Sequence, residues 1–314
     1  MSQHRLIGLG ALVIVAACGP AAPPQRSAAR AAPSAPSVPR SSPTPSSAPA
    51  LPPSPLPSPS PTVDPAVVAI AQASRGLYSR SAAQVLARLR SAGPALRAPA
   101  SSPATRAQAA RLEQLAYAQL VAHPEWQPQV LPQLPADLRE AADANVSAGT
   151  ELAAMGGDPS ERLPHWAVSA PAPAPQLMAY YHEAEAAFGV GWHYLAAINL
   201  VETAMGRIRG LSYAGAAGPM QFMPETWASF GLGDINNPRD SILAAGRYLK
   251  ARGAPADMDK AIYSYNLDHH YVRAVKTYAA RILTDPSAYT GYYNWQVYIS
   301  TVAGPALLPE GWTN

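Results

Sequence analysis

The chain has 314 residues, of which 48% are hydrophobic and 14% are charged, and its formal net charge at pH 7 is +3. This modest positive charge, without a cluster of Lys and Arg that tracks with aromatic residues, does not predict nucleic-acid binding. The sequence has no glycine-rich phosphate loop and no His or Cys set with metal-ligand spacing, so we expect neither a cofactor nor a metal site. The proportion of hydrophobic residues is high enough to form one compact domain and a smaller region, a satellite, that packs against it.

The first 18 residues have the three-part build of an export signal. Arg5 precedes an apolar run, residues 6–17, that is too short to span a bilayer as a mature helix. Residues 15–18 (VAAC) then resemble a lipobox, the bacterial lipoprotein signal in which cleavage leaves an acylated cysteine at the new N-terminus. Cys18 is the only cysteine, so it has no disulfide partner in the chain. We therefore expect an extracytoplasmic protein that is anchored to a bacterial membrane through lipid on Cys18. An ordinary signal peptide with an incidental cysteine is the alternative.

Residues 19–63 form a predicted linker. They consist mainly of Pro, Ala and Ser, with three arginines and no acidic residue. This composition predicts a disordered spacer because it cannot bury enough apolar area to offset chain entropy. At about 3.1 Å per residue, the spacer could reach roughly 140 Å when fully extended.

Helix signals recur through residues 64–167. Asp64 and Pro65 form an N-cap and N1 pair. Gly, Pro and Ser clusters separate the further helical runs, which we predict at residues 81–91, 105–122 and 135–155. We interpret this region as a helical satellite that packs on the following domain. Structural support is the favoured role over recognition of a polymer or of partner proteins, and a short linker, residues 168–175, ends the region.

Two helices are predicted next, over residues 176–188 and 195–207. In the second helix, Glu202 falls within the apolar stripe that contains Ile198 and Met205, and no residue three or four positions away carries a positive charge. Burial without a cation raises the pKa of a carboxyl group, and a Glu that is protonated near neutral pH can act as a general acid. The alternative is a Glu at the edge of the stripe that reaches water.

Two later segments carry further candidate residues. Gly218 and Pro219 predict a turn that can bring Met220 and Gln221 back towards it, and a new helix begins near Pro224. A Gln amide offers donors and an acceptor to sugar hydroxyl or acetamido groups, while Met packs against apolar faces. A helix over residues 257–264 then leaves Tyr265 and Asn266 at its end, where their side chains can point into a cleft.

The remaining polar candidates have structural interpretations. Glu225 lies in a first helical turn, where the helix dipole favours an acidic side chain. Residues 234–245 lack the Gly and the Glu that a calcium loop needs at its sixth and twelfth positions. His269 and His270 are adjacent, whereas two metal ligands on a helix need a spacing near four. The aromatic-rich residues 285–314 are predicted to wrap the domain surface, with a short strand over residues 295–301.

Three segments together carry a resemblance to a known family. Glu202 with Thr203, then residues 218–221 (GPMQ), then residues 264–266 (SYN) resemble the successive signatures of the lytic transglycosylase domain, a lysozyme-like fold that acts on peptidoglycan. Residues 218–227 look like the membrane-bound type B branch, and the resemblance covers roughly residues 176–282. The family usually has Ser at the position of Thr203 and often Ala at the position of Ser264, and neither change removes a functional group.

The resemblance implies a mainly α protein with a lysozyme-like catalytic domain over residues 176–284. Its substrate would be the peptidoglycan glycan strand, cut between N-acetylmuramic acid and N-acetylglucosamine with formation of a 1,6-anhydro ring. Glu202 would serve as general acid and then as base. The substrate-binding residues would be Thr203, Met220, Gln221, Tyr265 and Asn266. A hydrolytic muramidase of the same fold and a non-catalytic peptidoglycan-binding lipoprotein are the alternatives. Glu202 is the one credible catalytic carboxyl in the sequence. This favours the transglycosylase reaction, because hydrolysis of a glycosidic bond normally uses two carboxyl groups.

Overall fold

The computed structural model describes residues 63–314. The predicted export signal, Cys18 and residues 19–62 of the predicted linker lie outside the described residues. The described part is mainly helical with two small two-stranded sheets, which confirms the predicted mainly α class. Within it, no helix combines the length and the apolar character needed to cross a membrane.

The helices before the predicted linker at residues 168–175 are α1 (Pro65–Ser74), α2 (Ala82–Arg97), α3 (Pro103–Ala122), α4 (Gln127–Val130) and α5 (Ala136–Ala154). The later helices are α6 (Ala174–Phe188), α7 (Trp192–Thr203), α8 (Pro224–Phe230), α9 (Pro238–Ala251), α10 (Met258–Tyr265), α11 (His269–Thr284) and α12 (Pro286–Tyr293), and α6 begins within the last two residues of the predicted linker. Strand β1 (Ala167–Val168) pairs antiparallel with β2 (Ile208–Arg209), and β3 (Val297–Thr301) pairs antiparallel with β4 (Gly304–Leu308).

Side-chain caps explain where several helices begin. The Asp64 carboxylate accepts a hydrogen bond from the backbone N–H of Ala66 at 2.8 Å, which confirms the predicted cap of α1. Ser102 caps α3 in the same way through the N–H of Thr105. Asn237 caps α9 and Asp268 caps α11. Local polar side chains thus satisfy backbone donors that the first turn of a helix leaves free.

Helix α2 continues beyond its predicted end at residue 91. The sequence predicted a stop there because Gly93 and Pro94 are helix-breaking residues. In the structure the buried side chains of Leu89 and Ala92 are followed by that of Leu96, which continues the same apolar face. Packing of that face against the interior overrides the local signal.

One hydrophobic core unites the N-terminal helices with the later ones. Its buried residues include Leu120 and Val146 from α3 and α5 as well as Ile198 from α7 and Tyr278 from α11. Ion pairs tie α5 to α11, because Glu140 contacts Arg281 at 2.8 Å, and Glu151 contacts His270 and Arg273 at 2.7 and 2.8 Å. The N-terminal helices therefore support α11 directly.

The C-terminal segment contributes to the interior as well as to the surface. Tyr292 and Trp295 are 3% exposed and belong to the main core. The predicted strand over residues 295–301 overlaps β3, whose Val297 and Ile299 pack with β4 in a second, smaller cluster. The segment was predicted to wrap the domain surface, but in the structure its aromatic rings also fill space between helices.

Candidate active site

Helix α7 carries Glu202 one residue before its C-terminal end. The sequence predicted a helix to residue 207, but α7 ends at Thr203 because Ala204 and Met205 take left-handed φ values of 51° and 64°. The N–H groups of these two residues close the helix by donating to the carbonyls of Leu200 and Asn199 at 3.0 Å. Such conformations are costly for residues with a Cβ and concentrate at functional sites.

The Glu202 carboxyl is buried, with 3% of the residue exposed. The Tyr271 hydroxyl donates a hydrogen bond to Glu202 Oε1 at 2.6 Å. Desolvation raises the pKa of Glu202 from 4.5 to about 8, although the hydrogen bond from Tyr271 acts in the opposite direction. No cation contributes to this pKa among the described residues. The side chain therefore keeps its proton at neutral pH, as a general acid must.

The turn at residues 218–221 is fastened to α7 beside Glu202. The Thr203 hydroxyl donates to the carbonyl oxygen of Pro219 at 2.5 Å, and the Asn199 amide donates to the same oxygen at 2.8 Å. The Tyr181 hydroxyl in turn donates to Asn199 Oδ1 at 2.7 Å. These buried bonds fix the turn that carries Gln221 against the helix that carries Glu202.

The segment after α10 is joined to the same turn. The Tyr265 hydroxyl donates to the carbonyl oxygen of Met220 at 2.6 Å, and Asn266 follows as the C-terminal cap of α10. Helix α11 begins three residues later and carries Tyr271, the partner of Glu202. The structure therefore joins the three segments that the sequence singled out through hydrogen bonds between residues far apart in the chain.

Two amide groups at this junction lack a complete set of hydrogen bonds. Gln221 and Asn266 are 5% and 9% exposed. Gln221 Nε2 donates to the carbonyl of Gly218 at 3.0 Å, but Gln221 Oε1 and Asn266 Nδ2 find no partner among the described residues. Gln221 also has a left-handed φ of 49°. A buried acceptor and a buried donor without hydrogen-bond partners are expensive, so these two atoms require an explanation.

The structure places two of the predicted substrate contacts in the protein interior. Thr203 and Met220 are both fully buried, so neither side chain reaches open space. The Thr203 hydroxyl is also engaged by Pro219 and by the N–H of Gly206. Both residues hold the turn in place, Thr203 through its hydroxyl and Met220 through its carbonyl and its packing.

Sequence reasoning missed Tyr271. Its ring is completely buried on the face of α11 that also contains Val275 and Tyr278. The spacing of four and three residues between Tyr271, Val275 and Tyr278 indicated that Tyr271 is buried. It did not indicate that the Tyr271 hydroxyl would hydrogen-bond to Glu202, which lies 69 positions earlier in the chain.

Comparison with known proteins finds a family model and a relative that are similar to the segment that holds these residues. Residues 179–284 match the transglycosylase SLT domain. The membrane-bound lytic murein transglycosylase F of Thiobacillus denitrificans is 30% identical over 134 residues, which is 40% of this chain and 28% of the relative. The chain thus spans less than a third of that relative. This relative is named as a type F enzyme, so the comparison does not support the predicted likeness to the type B branch. No solved structure matches the chain.

Proposed function

We propose, from the premise that residues 179–284 form a lysozyme-like transglycosylase SLT domain, that this chain is a peptidoglycan lytic transglycosylase. The observation that carries the proposal is the buried, protonated carboxyl of Glu202, which accepts a hydrogen bond from Tyr271. It lies at the junction where Gln221 and Asn266 leave an acceptor and a donor open. The likeness to a lytic murein transglycosylase supports the same reaction class.

The proposed reaction uses Glu202 twice. Protonated Glu202 gives its proton to the glycosidic oxygen between N-acetylmuramic acid and N-acetylglucosamine, and the bond from that oxygen to C1 breaks. The carboxylate then takes the proton of the muramyl C6 hydroxyl, whose oxygen bonds to C1 and closes the 1,6-anhydro ring. Glu202 ends the cycle protonated, and no water is consumed. General acid–base catalysis of this kind contributes roughly 10²- to 10⁴-fold in rate.

The pKa of Glu202 suits this double role. At a value of about 8 the group is mostly protonated at neutral pH, yet its conjugate base is strong enough to accept a proton from a hydroxyl as C1 becomes positive. Among the described residues, no second acidic side chain contributes to this pKa. Glu202 is the one acidic residue in the three segments 202–203, 218–221 and 264–266, which favours one carboxyl acting in turn over the two carboxyls that hydrolysis normally uses.

The open amide groups fit an acetamido substituent. Such a group presents one N–H donor and one carbonyl acceptor, which complement Gln221 Oε1 and Asn266 Nδ2 once these two buried side chains turn towards the cleft. Both sugars of the proposed substrate carry this substituent. We propose that the two amides orient the sugar so that the glycosidic oxygen lies against Glu202, which reduces the entropy cost of reaching the transition state.

The proposed location follows from the substrate and from the sequence signals. We propose that the protein acts outside the cytoplasm and is held on a membrane by lipid on Cys18. In cells fed a labelled fatty acid, the wild-type protein should carry label and the Cys18→Ala variant should not. A labelled Cys18→Ala variant would contradict the anchor.

Digestion of purified peptidoglycan sacculi tests the activity. Mass spectrometry of the soluble products should show 1,6-anhydro ends with the wild-type protein and no products with Glu202→Gln. Glu225→Gln is the matched control, because Glu225 is exposed in the first turn of α8 and should be dispensable. Reducing ends would indicate a muramidase instead. Binding to sacculi without soluble fragments would indicate a non-catalytic wall-binding protein.

A further inference from the structure

The turn that follows the Glu202 helix is strained along three successive residues. Ala204, Met205 and Gly206 have left-handed φ values of 51°, 64° and 84°. The first two carry a Cβ, and left-handed conformations of such residues persist only where the surrounding structure holds them. Because Glu202 lies two positions before Ala204, the place of its carboxyl depends on the contacts that fix this turn.

Backbone hydrogen bonds hold the turn on α7. The N–H groups of Ala204 and Met205 close the helix, the Gly206 N–H donates to the Thr203 hydroxyl at 3.0 Å, and the Arg207 N–H donates to the Thr203 carbonyl at 2.8 Å. All of the acceptors in these bonds lie within residues 199–203, on the same helix. These bonds therefore shape the turn, but they do not attach it to another part of the protein.

The Arg207 side chain attaches the turn to the C-terminal segment. Its Nε donates to the carbonyl oxygen of Trp295 at 2.8 Å, and its Nη2 donates to that of Tyr293 at 2.7 Å. Its Nη1 contacts Glu310 Oε1 at 3.0 Å. Arg207 is only 4% exposed, and burying a guanidinium is costly unless its donors are satisfied. The planar fork of Arg suits several acceptors at once.

The acceptors of Arg207 are held in turn by the helix that carries the partner of Glu202. The Trp295 ring is buried and packs edge-on against Tyr278 of α11, with ring centroids 6.0 Å apart. Tyr271 lies on the same helix and donates to Glu202. Contacts thus run from α11 through the C-terminal segment to Arg207 and back to the turn after α7.

We propose that Arg207 is a positioning residue, which keeps the Glu202 carboxyl buried against Tyr271 by tying the strained turn to the C-terminal segment. Arg207 is buried, so it acts through the turn and not on the substrate. Its acceptors lie outside residues 179–284, which match the SLT domain, so the C-terminal segment takes part in catalysis without reaching the cleft. The inference rests on the proposed function and deepens it.

Loosening the turn has a definite consequence for Glu202. Desolvation is the largest cause of its raised pKa, and the pKa of a carboxyl that water reaches returns towards 4.5. The protonated form is then lost at a lower pH, so the pH at which kcat/KM declines on the alkaline side falls. A residue that only stabilises the fold changes the unfolding temperature but leaves this pH where it is.

Arg207→Lys tests the proposal, because Lys keeps the positive charge but not the fork that reaches three acceptors. With solubilised glycan strands, kcat should fall ~10- to 100-fold while KM stays within about threefold, and the alkaline decline should lie about one pH unit lower. Arg209→Gln is the matched control, since Arg209 is half-buried in β2 and its side chain donates to Ser169 at 3.1 Å. It should leave the pH of the alkaline decline unchanged.

A carboxyl ¹³C NMR titration measures the pKa of Glu202 without turnover, with Glu202→Gln to assign the signal. The pKa should be about one unit lower in Arg207→Lys than in the wild-type protein. If Arg207→Lys does not fold, Glu310→Ala, which removes the exposed one of the three acceptors, should give a smaller fall.

An unchanged pKa in the folded variant, or an equal fall in Arg209→Gln, would overturn the positioning role even where the unfolding temperature drops. A wild-type protein that releases no products from the strands would end the proposed function instead. The NMR titration would still decide whether Arg207 holds the carboxyl, so the two failures are distinguishable.

Discussion

Replacing Glu202 with Gln should stabilise the protein while it removes activity, and the stabilisation should grow with pH. The carboxyl is buried without a cation, so the folded protein holds its proton up to about pH 8, whereas the unfolded chain releases it near pH 4.5. Gln has nearly the same shape, carries no charge at any pH, and can still accept the hydrogen bond from Tyr271.

The magnitude follows from proton linkage. Below pH 4.5 both states hold the proton, so the stability that protonation gives the folded state is fully present. As the pH rises towards 8, only the folded state keeps the proton, and the free energy of unfolding of the wild-type protein falls by about 1.4 kcal/mol per pH unit relative to the variant. Between pH 5 and pH 7 the difference should change by about 3 kcal/mol, a Tm change of roughly 5 to 10 °C.

Urea or thermal unfolding of both proteins at several pH values between 5 and 8 measures this difference. Glu225→Gln serves as a control for the same substitution at a site that is exposed, in the first turn of α8. Parallel stability curves for the wild-type protein and Glu202→Gln across this range would refute the raised pKa of Glu202. The general-acid argument would then lose its physical basis.

Three further substitutions test the groups around the carboxyl. Tyr271→Phe removes the hydrogen bond that lowers the pKa of Glu202, so the pH at which kcat/KM declines on the alkaline side should rise, and the free energy of unfolding should fall by about 1 kcal/mol. An alkaline decline at an unchanged pH in the pH–rate profile would contradict this. Asn266→Leu removes an unpartnered buried amide, so denaturant unfolding should show unchanged or higher stability while kcat/KM falls ~10- to 100-fold. Thr203→Val breaks the bond to the Pro219 carbonyl and should cost about 1–3 kcal/mol in chemical denaturation together with activity, and Thr203→Ser should recover both.

Much of the local structure was predictable because its causes lie within a few residues. The N-cap of α1 at Asp64, the start of α8 at Pro224 and the turn at Gly218 all depend on side chains or φ values close by in the chain. The placement of Glu202 in an apolar stripe also indicated its burial, but every residue from 195 to 203 is buried, so enclosure of this part of α7 on all faces is the actual cause.

Errors in the prediction arose where distant contacts outweighed local signals. Helix α2 runs through Pro94 because Leu96 gains a place in the core. Helix α7 ends at Thr203 rather than at residue 207, and the Arg207 side chain instead donates to the carbonyl oxygens of Trp295 and Tyr293 at 2.8 and 2.7 Å. Helical periodicity contains no information about those partners.

The sequence by itself determined which side chains were candidates: an acid without a cation at position 202, a Gln after a tight turn, and a Tyr–Asn pair at the end of a helix. Only the tertiary structure decided that Tyr271 donates to Glu202, that Thr203 donates to the carbonyl of Pro219, and that Gln221 Oε1 and Asn266 Nδ2 are buried without partners among the described residues. The reason is physical. Capping and helical periodicity depend on neighbours in the chain, whereas burial and hydrogen bonds between segments depend on how the helices pack in the common core.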